Sequence, residues 1–287
     1  MAIDLVKKYS SKVDELFTAE SKSSLVTNTD YDWDGSNGVI VYKLTTAKMN
    51  DYIRNVTGDS TQASMTRFGN IKDLNGSTQQ MLLSKDRSFI YNIDKLDEDE
   101  TAQALNAESS LARQIREVVI PERDKYIYNK MAAGAGLKAE ADKAGFKYYD
   151  AIIDATVQMD EAEVPDSGRV LVLPPVGYSA LKKELNQVAY NELDAEARKA
   201  GVIGYLDGMP VIKVPSAYLP DGMAFMIAHP CACVAPVKLA DYGLHTDTIF
   251  SSGTVVTGRV CYDAFILDNK KNGIFVQSFK AVTDPEE

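Results

Sequence analysis

Residues 94–136 read DKLDEDETAQALNAESSLARQIREVVIPERDKYIYNKMAAGAG. Acidic residues crowd the start: Asp94, Asp97, Glu98, Asp99 and Glu100. Carboxylates there cap free N–H groups and meet the positive end of a helix dipole. Leu105, Leu111, Ile115, Val118 and Val119 then recur at helical spacing as a buried stripe. Pro121 interrupts the run, and a kink or one lost hydrogen bond is expected there, costing about 3 kcal/mol. The pattern resumes through Tyr126, Tyr128 and Met131, and Ala-Gly-Ala-Gly at 133–136 stops it. A helix over 98–133 would be about 50 Å long at roughly 1.5 Å per residue. That exceeds what a compact domain of this size needs and suits a strut.

Upstream of the strut, Gly38–Leu44 (GVIVYKL) and Met81–Asp94 (MLLSKDRSFIYNID) read as strands, with Phe89, Tyr91 and Ile93 alternating in the second. Between them, Thr45 to Gln80 is polar and rich in Gly, Asn, Ser and Thr. A segment so long without its own core is uncommon inside a compact domain and buries too little to offset its ordering entropy. Either it is disordered, or it is a hairpin held by something outside its own domain. At the start of the chain, Ile3, Val6, Tyr9, Val13, Leu16 and Phe17 mark an amphipathic helix over 1–22. The polar stretch Ser21 to Asp30 follows as a linker, which favours a detached arm over the first helix of a compact domain.

Downstream, elements alternate. A helix is expected around Lys147–Met159, a strand at Arg169–Leu173, a helix at Val176–Glu184, and short strands at Val211–Val214 and Met223–Ala228. The β-rich runs Thr254–Leu267 and Gly273–Ala281 close the chain. The class is α+β.

The chain has 287 residues, 45% hydrophobic and 25% charged, with a formal net charge of -10. This is an ordinary globular balance. Duplex DNA and anionic membranes are gripped by basic surfaces, so both are disfavoured as directly bound partners. Three cysteines make no disulfide framework and fit a reducing compartment. No apolar run spans a bilayer and the first residues lack a signal-peptide pattern, so folding in the cytosol is expected.

Chemistry is sparse. Asp30, Asp32, Asp34 and Gly35 open like a calcium loop, but the twelfth position is Val41 where a bidentate Glu is needed. An acidic turn entering a strand is the better reading of these three aspartates, the only metal candidates retained. His229, Cys231 and Cys233 would share one face of an extended segment, with Cys261 as a fourth soft ligand, yet small buried cysteines fit better. Gly177-Tyr-Ser-Ala-Leu181 lacks the second glycine of a nucleophile elbow. Gly134-Ala-Gly136 follows a helix rather than a strand, so it is no phosphate loop. Asp160, Glu161, Glu163 and Asp166 read as a solvated turn beside Pro165. No catalytic residue and no cofactor site is assigned.

The order of these parts, with Lys8-Tyr-Ser-Ser-Lys-Val-Asp-Glu15, Ser84-Lys-Asp-Arg-Ser-Phe-Ile-Tyr-Asn-Ile-Asp94, Val118-Val-Ile-Pro-Glu-Arg-Asp124, Gly201-Val-Ile-Gly-Tyr-Leu-Asp-Gly-Met-Pro-Val211 and Pro215-Ser-Ala-Tyr-Leu-Pro220, resembles the tailed-bacteriophage major capsid proteins of the Hong Kong-97-type fold. The resemblance spans nearly the whole chain. It implies an N-terminal arm (1–28), an extended loop (29–97), a peripheral domain on a spine helix (98–136, with a second part at 234–287) and an axial domain (137–233). It further implies a non-enzymatic shell of hexamers and pentamers around packaged double-stranded DNA, in a virion assembled in the host cytoplasm. Scaffolding and portal proteins, and decoration proteins in some relatives, are the implied partners. With no long extension before the arm, the scaffold is expected to be a separate protein. The lysine–asparagine cross-link known in the family would draw on Lys43, Lys48, Lys72 or Lys85 with Asn269 or Asn272, although no spacing favours a pair. An encapsulin-type compartment shares the implied fold. Two rival readings compete with a shell: an α+β enzyme using Asp30, Asp32 and Asp34, and a tail or decoration protein.

Overall fold

A strand buried on both faces has no reason to alternate polar and apolar residues, and two runs in this chain do not: Val-Leu-Val-Leu at 170–173 and Met-Ala-Phe-Met-Ile-Ala at 223–228, every residue of which is buried. Both lie in the middle of the principal sheet. The computed structural model describes residues 23–28, 38–44, 48–52, 54, 68, 76–95, 107–184, 202–246 and 252–280. In chain order the elements are β1 (Gly38–Leu44), β2 (Gly76–Leu82), β3 (Lys85–Asp94), α1 (Ala107–Gln114), a π-helical turn (Ile115–Val119), α2 (Ile120–Gly134), β4 (Leu137–Ala141), α3 (Tyr148–Glu161), β5 (Val170–Leu173) and α4 (Pro175–Glu184). There follow β6 (Val202–Leu206), β7 (Met209–Lys213), β8 (Met223–Ala228), β9 (Cys233–Val234), β10 (Val237–Thr246), β11 (Gly253–Tyr262), β12 (Phe265–Ile266) and β13 (Ile274–Phe279). The chain forms two units, Gly38–Leu82 and the remainder.

In the larger unit, a six-stranded sheet has the order β4-β13-β8-β5-β7-β6. Its side chains sort by parity. Val170, Val172, Ile212, Met226, Ala228, Ile274 and Val276 pack with Ile127, Tyr128 and Met131 of α2. Leu171, Leu173, Val211, Phe225, Ile227 and Phe275 pack with Tyr148, Ile152 and Met159 of α3 and Leu181 of α4. Among the described residues the sheet is therefore a middle layer with one helix on one face and two on the other. The register between β13 and β8 slips at Ala224 (Gln277 faces Phe225, Ser278 faces Met223), which turns Met223 to the α2 side. A second sheet, β10-β11-β3, packs Ile93, Tyr242, Val256, Val260 and Tyr262 against Leu111, Ile115 and Ile120. One long helical run thus serves two cores.

That run continues through Pro121, where the sequence leads to a kink or one lost hydrogen bond. The preceding turn, Ile115–Val119, is π-helical, and the Ile120 N–H donates to the Ile115 carbonyl. Pro121 falls in the first turn of α2, where a missing N–H leaves no donor orphaned. The helix ends at Gly134, as Ala-Gly-Ala-Gly predicts. Gly136 is needed just beyond, because a Cβ there would lie 2.7 Å from the backbone of Lys271 and Asn272.

Other expectations are revised. The single strand expected over Met81–Asp94 is two, with a break at 83–84, and its halves pair with different partners: β2 with β1, and β3 with β11. Part of the stretch read as a linker is packed. Val26 is fully buried, the Ser23 hydroxyl donates to Asp124 Oδ1 at 2.8 Å, and Asn28 bridges to Val234. β13, inside the range expected for the second peripheral part, hydrogen-bonds in the same sheet as β4 to β8. The helix expected over 1–22 lies outside the described residues.

The smaller unit is described by the hairpin β1–β2, paired from Gly38↔Leu82 to Leu44↔Gly76. Its further described residues include Tyr52 and Phe68, whose rings meet edge to face at 5.1 Å.

Within the larger unit, the Tyr128 hydroxyl is fully buried without a hydrogen-bond partner, and burial raises its pKa well above the ordinary value. Tyr128→Phe is therefore expected to leave stability unchanged or raise it. Ile127→Ala, one residue earlier and equally buried, should cost about 2–5 kcal/mol. Urea unfolding of both variants checks this; a loss of about 1 kcal/mol or more in Tyr128→Phe would reveal a bond to that hydroxyl.

Candidate functional site: polar anchors and exposed apolar faces

Asp263 ends the β11 side of the turn into β12 and is buried. A buried carboxylate requires donors, and four are supplied. Its Oδ2 accepts the Ser84 N–H at 2.8 Å and the Ser84 hydroxyl at 2.7 Å; its Oδ1 accepts the Tyr126 hydroxyl and the Ala264 N–H, both at 2.7 Å. This one side chain ties the segment entering β3, helix α2 and the β11–β12 turn together. Tyr126 and Tyr262 pack edge to face at 5.7 Å, and the Lys85 and Lys130 ammoniums lie 5.2 and 5.6 Å from the Tyr126 ring. Beside them Glu122 pairs with Arg87 at 2.8 Å and accepts the Tyr262 hydroxyl at 3.4 Å. Burial, then the Glu122 charge, pushes Tyr262 up to about 12.

A second anchor lies between α3 and β5. Arg169 is 2% exposed. Its guanidinium pairs with Asp160 at 2.7 Å and Asp166 at 3.1 Å, and donates to the carbonyls of Pro165 and Val164. The acidic turn is solvated as read, with Asp160, Glu161, Glu163 and Asp166 all exposed, and two of its carboxylates pair with this arginine. Glu163 turns the corner in the left-handed region, with φ of 58°.

The remaining candidates are dispersed. Asp30, Asp32 and Asp34 lie outside the described residues. His229, Cys231 and Cys233 do not share an extended face, because Pro230–Ala232 forms a 3-10 turn. The His229 ring is also occupied: Nδ1 accepts the Cys231 N–H at 3.2 Å and Nε2 meets the Ser167 carbonyl at 2.9 Å. Cys233 is buried, and burial raises its thiol to about 12. Among the described residues no three His, Cys, Asp or Glu side chains gather as a metal cluster. Ser179 is on α4, where a Cβ on Gly177 would come within 2.8 Å of the Tyr148 ring. Of the cross-link candidates, Lys72 lies outside the described residues, and Asn269 and Asn272 sit on a 3-10 turn at 268–273. A cleft of about 380 Å³ is bordered mainly by Phe146, Tyr148, Pro174, Val176, Leu219 and Phe279. Lys143, Ser216 and Asp221 also line it. No helix among the described residues is long and apolar enough to cross a membrane.

Exposed apolar faces are what sequence reading missed. In β1–β2 directly opposed residues share a face. The face of Gly38, Ile40 and Tyr42 opposite Leu82, Gln80 and Thr78 leaves Ile40 55%, Tyr42 76% and Leu82 54% exposed. In α3, Tyr149, Ile153 and Val157 line the side opposite the buried Tyr148, Ile152 and Met159. Isolated exposed apolar residues mean little, but aligned ones form a candidate contact surface.

Two outcomes follow from the Asp263 cluster. Asp263→Asn points an amide N–H at donors and should cost about 1–3 kcal/mol or more; an unchanged melting temperature would show that the carboxylate is not an anchor. Tyr262 titrates at about 12 in the fold against 10.0 ordinarily, so its contribution is complete below pH 10 and declines as pH rises from 10 to about 12. Tyr262→Phe should flatten the alkaline limb of the stability–pH curve, and an identical limb in the variant would refute this.

No family model matches the chain, and no curated protein matches its sequence. Solved structures do. A structure from Mycobacterium phage Che8 aligns with TM-score 0.67 and 19% identity over 90% of each chain. The asymmetric unit of the bacteriophage PhiM1 mature capsid aligns with TM-score 0.62 and 11% identity over 94% of this chain and 87% of that one. A virus-like particle from Pyrococcus furiosus aligns with TM-score 0.58 and 11% identity over 96% and 99%. Over about nine tenths of the chain the α+β fold is thus the Hong Kong-97-type fold of tailed-bacteriophage capsid proteins.

Proposed function

We propose that this chain is the major capsid protein of a tailed double-stranded DNA bacteriophage, assembling with copies of itself into hexamers and pentamers of an icosahedral shell. The observation that carries this reading is the hairpin at 38–82. A two-stranded sheet is marginal in water; Met81 on one face of this one is fully buried, while the other face leaves Ile40, Tyr42 and Leu82 open. The match over most of the chain to a phage mature capsid supports a neighbouring copy as what covers it. Residues 1–28 then act as an arm, 29–97 as the extended loop, 98–136 and 234–287 as the peripheral domain, and 137–233 as the axial domain. The role is mechanical and not enzymatic: apolar surface that one chain leaves open is buried between chains, and symmetry converts a repeated contact into closure.

The acidic net charge agrees with a container that encloses DNA without gripping it. Scaffolding, portal and decoration proteins are the partners this role calls for, and the virion, assembled in the host cytoplasm, is its place. The likeness to a virus-like particle from Pyrococcus furiosus supports a second reading, an encapsulin-type shell holding protein cargo. Purified particles containing DNA rather than a protein cargo would decide for the capsid.

Ile40→Ser combined with Tyr42→Ser should leave a folded chain with a normal melting temperature and at least ten-fold fewer closed particles by electron microscopy. Undiminished particle yield would refute the role of this face.

A further inference from the structure

Two strands end the six-stranded sheet, and they end it differently. β6 meets β7 with a register slip between Val202 and Gly204, the kind of irregularity that blunts an edge. β4, Leu-Lys-Ala-Glu-Ala, pairs with β13 in unbroken register from Leu137↔Phe275 to Ala141↔Phe279. The Ala141 carbonyl accepts the Lys280 N–H. In a parallel pair this turns the N–H and C=O of Leu137, Ala139 and Ala141 toward β13, and those of Lys138 and Glu140 toward the sheet's edge. Among the described residues no hydrogen bond reaches these outward groups. Lys138 and Glu140 are exposed, whereas Leu137, Ala139 and Ala141 are half-buried. The Lys138 ammonium donates to the Ala133 carbonyl at 2.8 Å and keeps further protons to give. Glu140 has no partner among the described residues. A groove of about 530 Å³ between β4 and α3 leaves room beside the strand on that face.

A Lys alone on such an edge would repel a second copy. Lys and Glu two residues apart make the strand complementary to itself. The outward groups of Lys138 and Glu140 admit antiparallel self-pairing centred on 138, 139 or 140. Centring on 138 opposes Lys to Lys, and centring on 140 opposes Glu to Glu. Centring on Ala139 opposes each Lys138 to a Glu140, and each such pair exchanges both backbone hydrogen bonds. The side chains fit the same register. Ala139 meets its own copy in the pair without hydrogen bonds, where Cα atoms lie about 4.5 Å apart, and Leu137 meets the small Ala141. Lys147 beside Asp150 and Lys280 beside Asp142 limit the negative charge that the groove brings to this axis. We propose that β4 of one copy adds to β4 of a second across a two-fold axis at Ala139, with Lys138 of each facing Glu140 of the other, so that two sheets become one. The contact goes beyond the shell reading and does not depend on it. A strand of five residues buries less than a stable free dimer needs, so it acts beside other contacts.

The test uses the full chain carrying Ala139→Cys, oxidised at high concentration as subunits and again in particles. Residues directly opposed in this pair lie within disulfide reach, so a covalent dimer is expected that the unaltered chain, with its own three cysteines, does not give. Ala141→Cys, which would face Leu137 of the other copy, should give at least ten-fold less. Adding Glu140→Lys to Ala139→Cys should lower the dimer yield at least ten-fold, and adding Lys138→Glu as well should restore most of it. Thermal melting checks that each variant folds. Should Ala139→Cys fail to fold, sedimentation velocity of Glu140→Lys, at an exposed position, against the double reversal reads the same charge rule: weaker self-association in the first and recovery in the second. No covalent dimer from folded Ala139→Cys in either state, an equal yield from Ala141→Cys, or a double reversal that behaves like the single would overturn the pairing. Closed particles without the cross-link remove this contact and leave the shell reading standing. Cross-linked subunits that form no closed particles under any condition support the pairing and remove the shell reading.

Discussion

One constraint organises the molecule: a single helical run from 107 to 134 must bury its apolar residues against two different sheets. Leu111, Ile115 and Ile120 belong to the core of β10, β11 and β3, whereas Ile127, Tyr128 and Met131 belong to the core of the six-stranded sheet. Neither half is an independent helix of comfortable length, since short helices take most of their stability from packing. The π turn at 115–119 lies between the two halves and lets Pro121 enter the second without an orphaned donor. Tyr126, packed at the edge of both cores, marks the crossover, and its hydroxyl is one of the four donors to Asp263. The long helix and the buried carboxylate are thus parts of the same joint.

Polar anchors of this kind hold the larger unit together from within. Asp263 and the Ser23–Asp124 pair each join segments distant in sequence, while Arg169 closes the local turn from α3 into β5. Burial raises Cys233 and Tyr262 to about 12 and so keeps them neutral. Exposed apolar residues align on the hairpin and on the outer side of α3.

Much of the fold was legible in the sequence where chemistry was local. β1 and β8 occupy the ranges read for them because β-branched or wholly apolar runs leave few other conformations open, and α3 and α4 follow from their spacing. The break at 83–84 was hidden because Ser84 is polar for a reason that only Asp263, 179 residues later, reveals. β4 escaped because Lys-Ala-Glu-Ala is a helix-favouring composition; it becomes a strand by pairing with β13. β10 escaped because Asp241 and Gly243 interrupt its alternation. Arg169 and Asp263 could not be singled out, since one charged residue acquires meaning only from the neighbours that folding brings. The resemblance to capsid proteins succeeded for the same reason the local reading fell short: it rested on the order of parts.

The central claim is that the hairpin of β1 and β2 gains its stability from another copy of the chain. Amide hydrogen exchange at 38–44 and 76–82, compared between unassembled subunits and purified particles, tests it directly. Exchange in subunits should be near that of an open hairpin and should slow by orders of magnitude in particles, while β5 and β8 stay protected in both. Equal, strong protection of the hairpin in the isolated subunit would contradict the account.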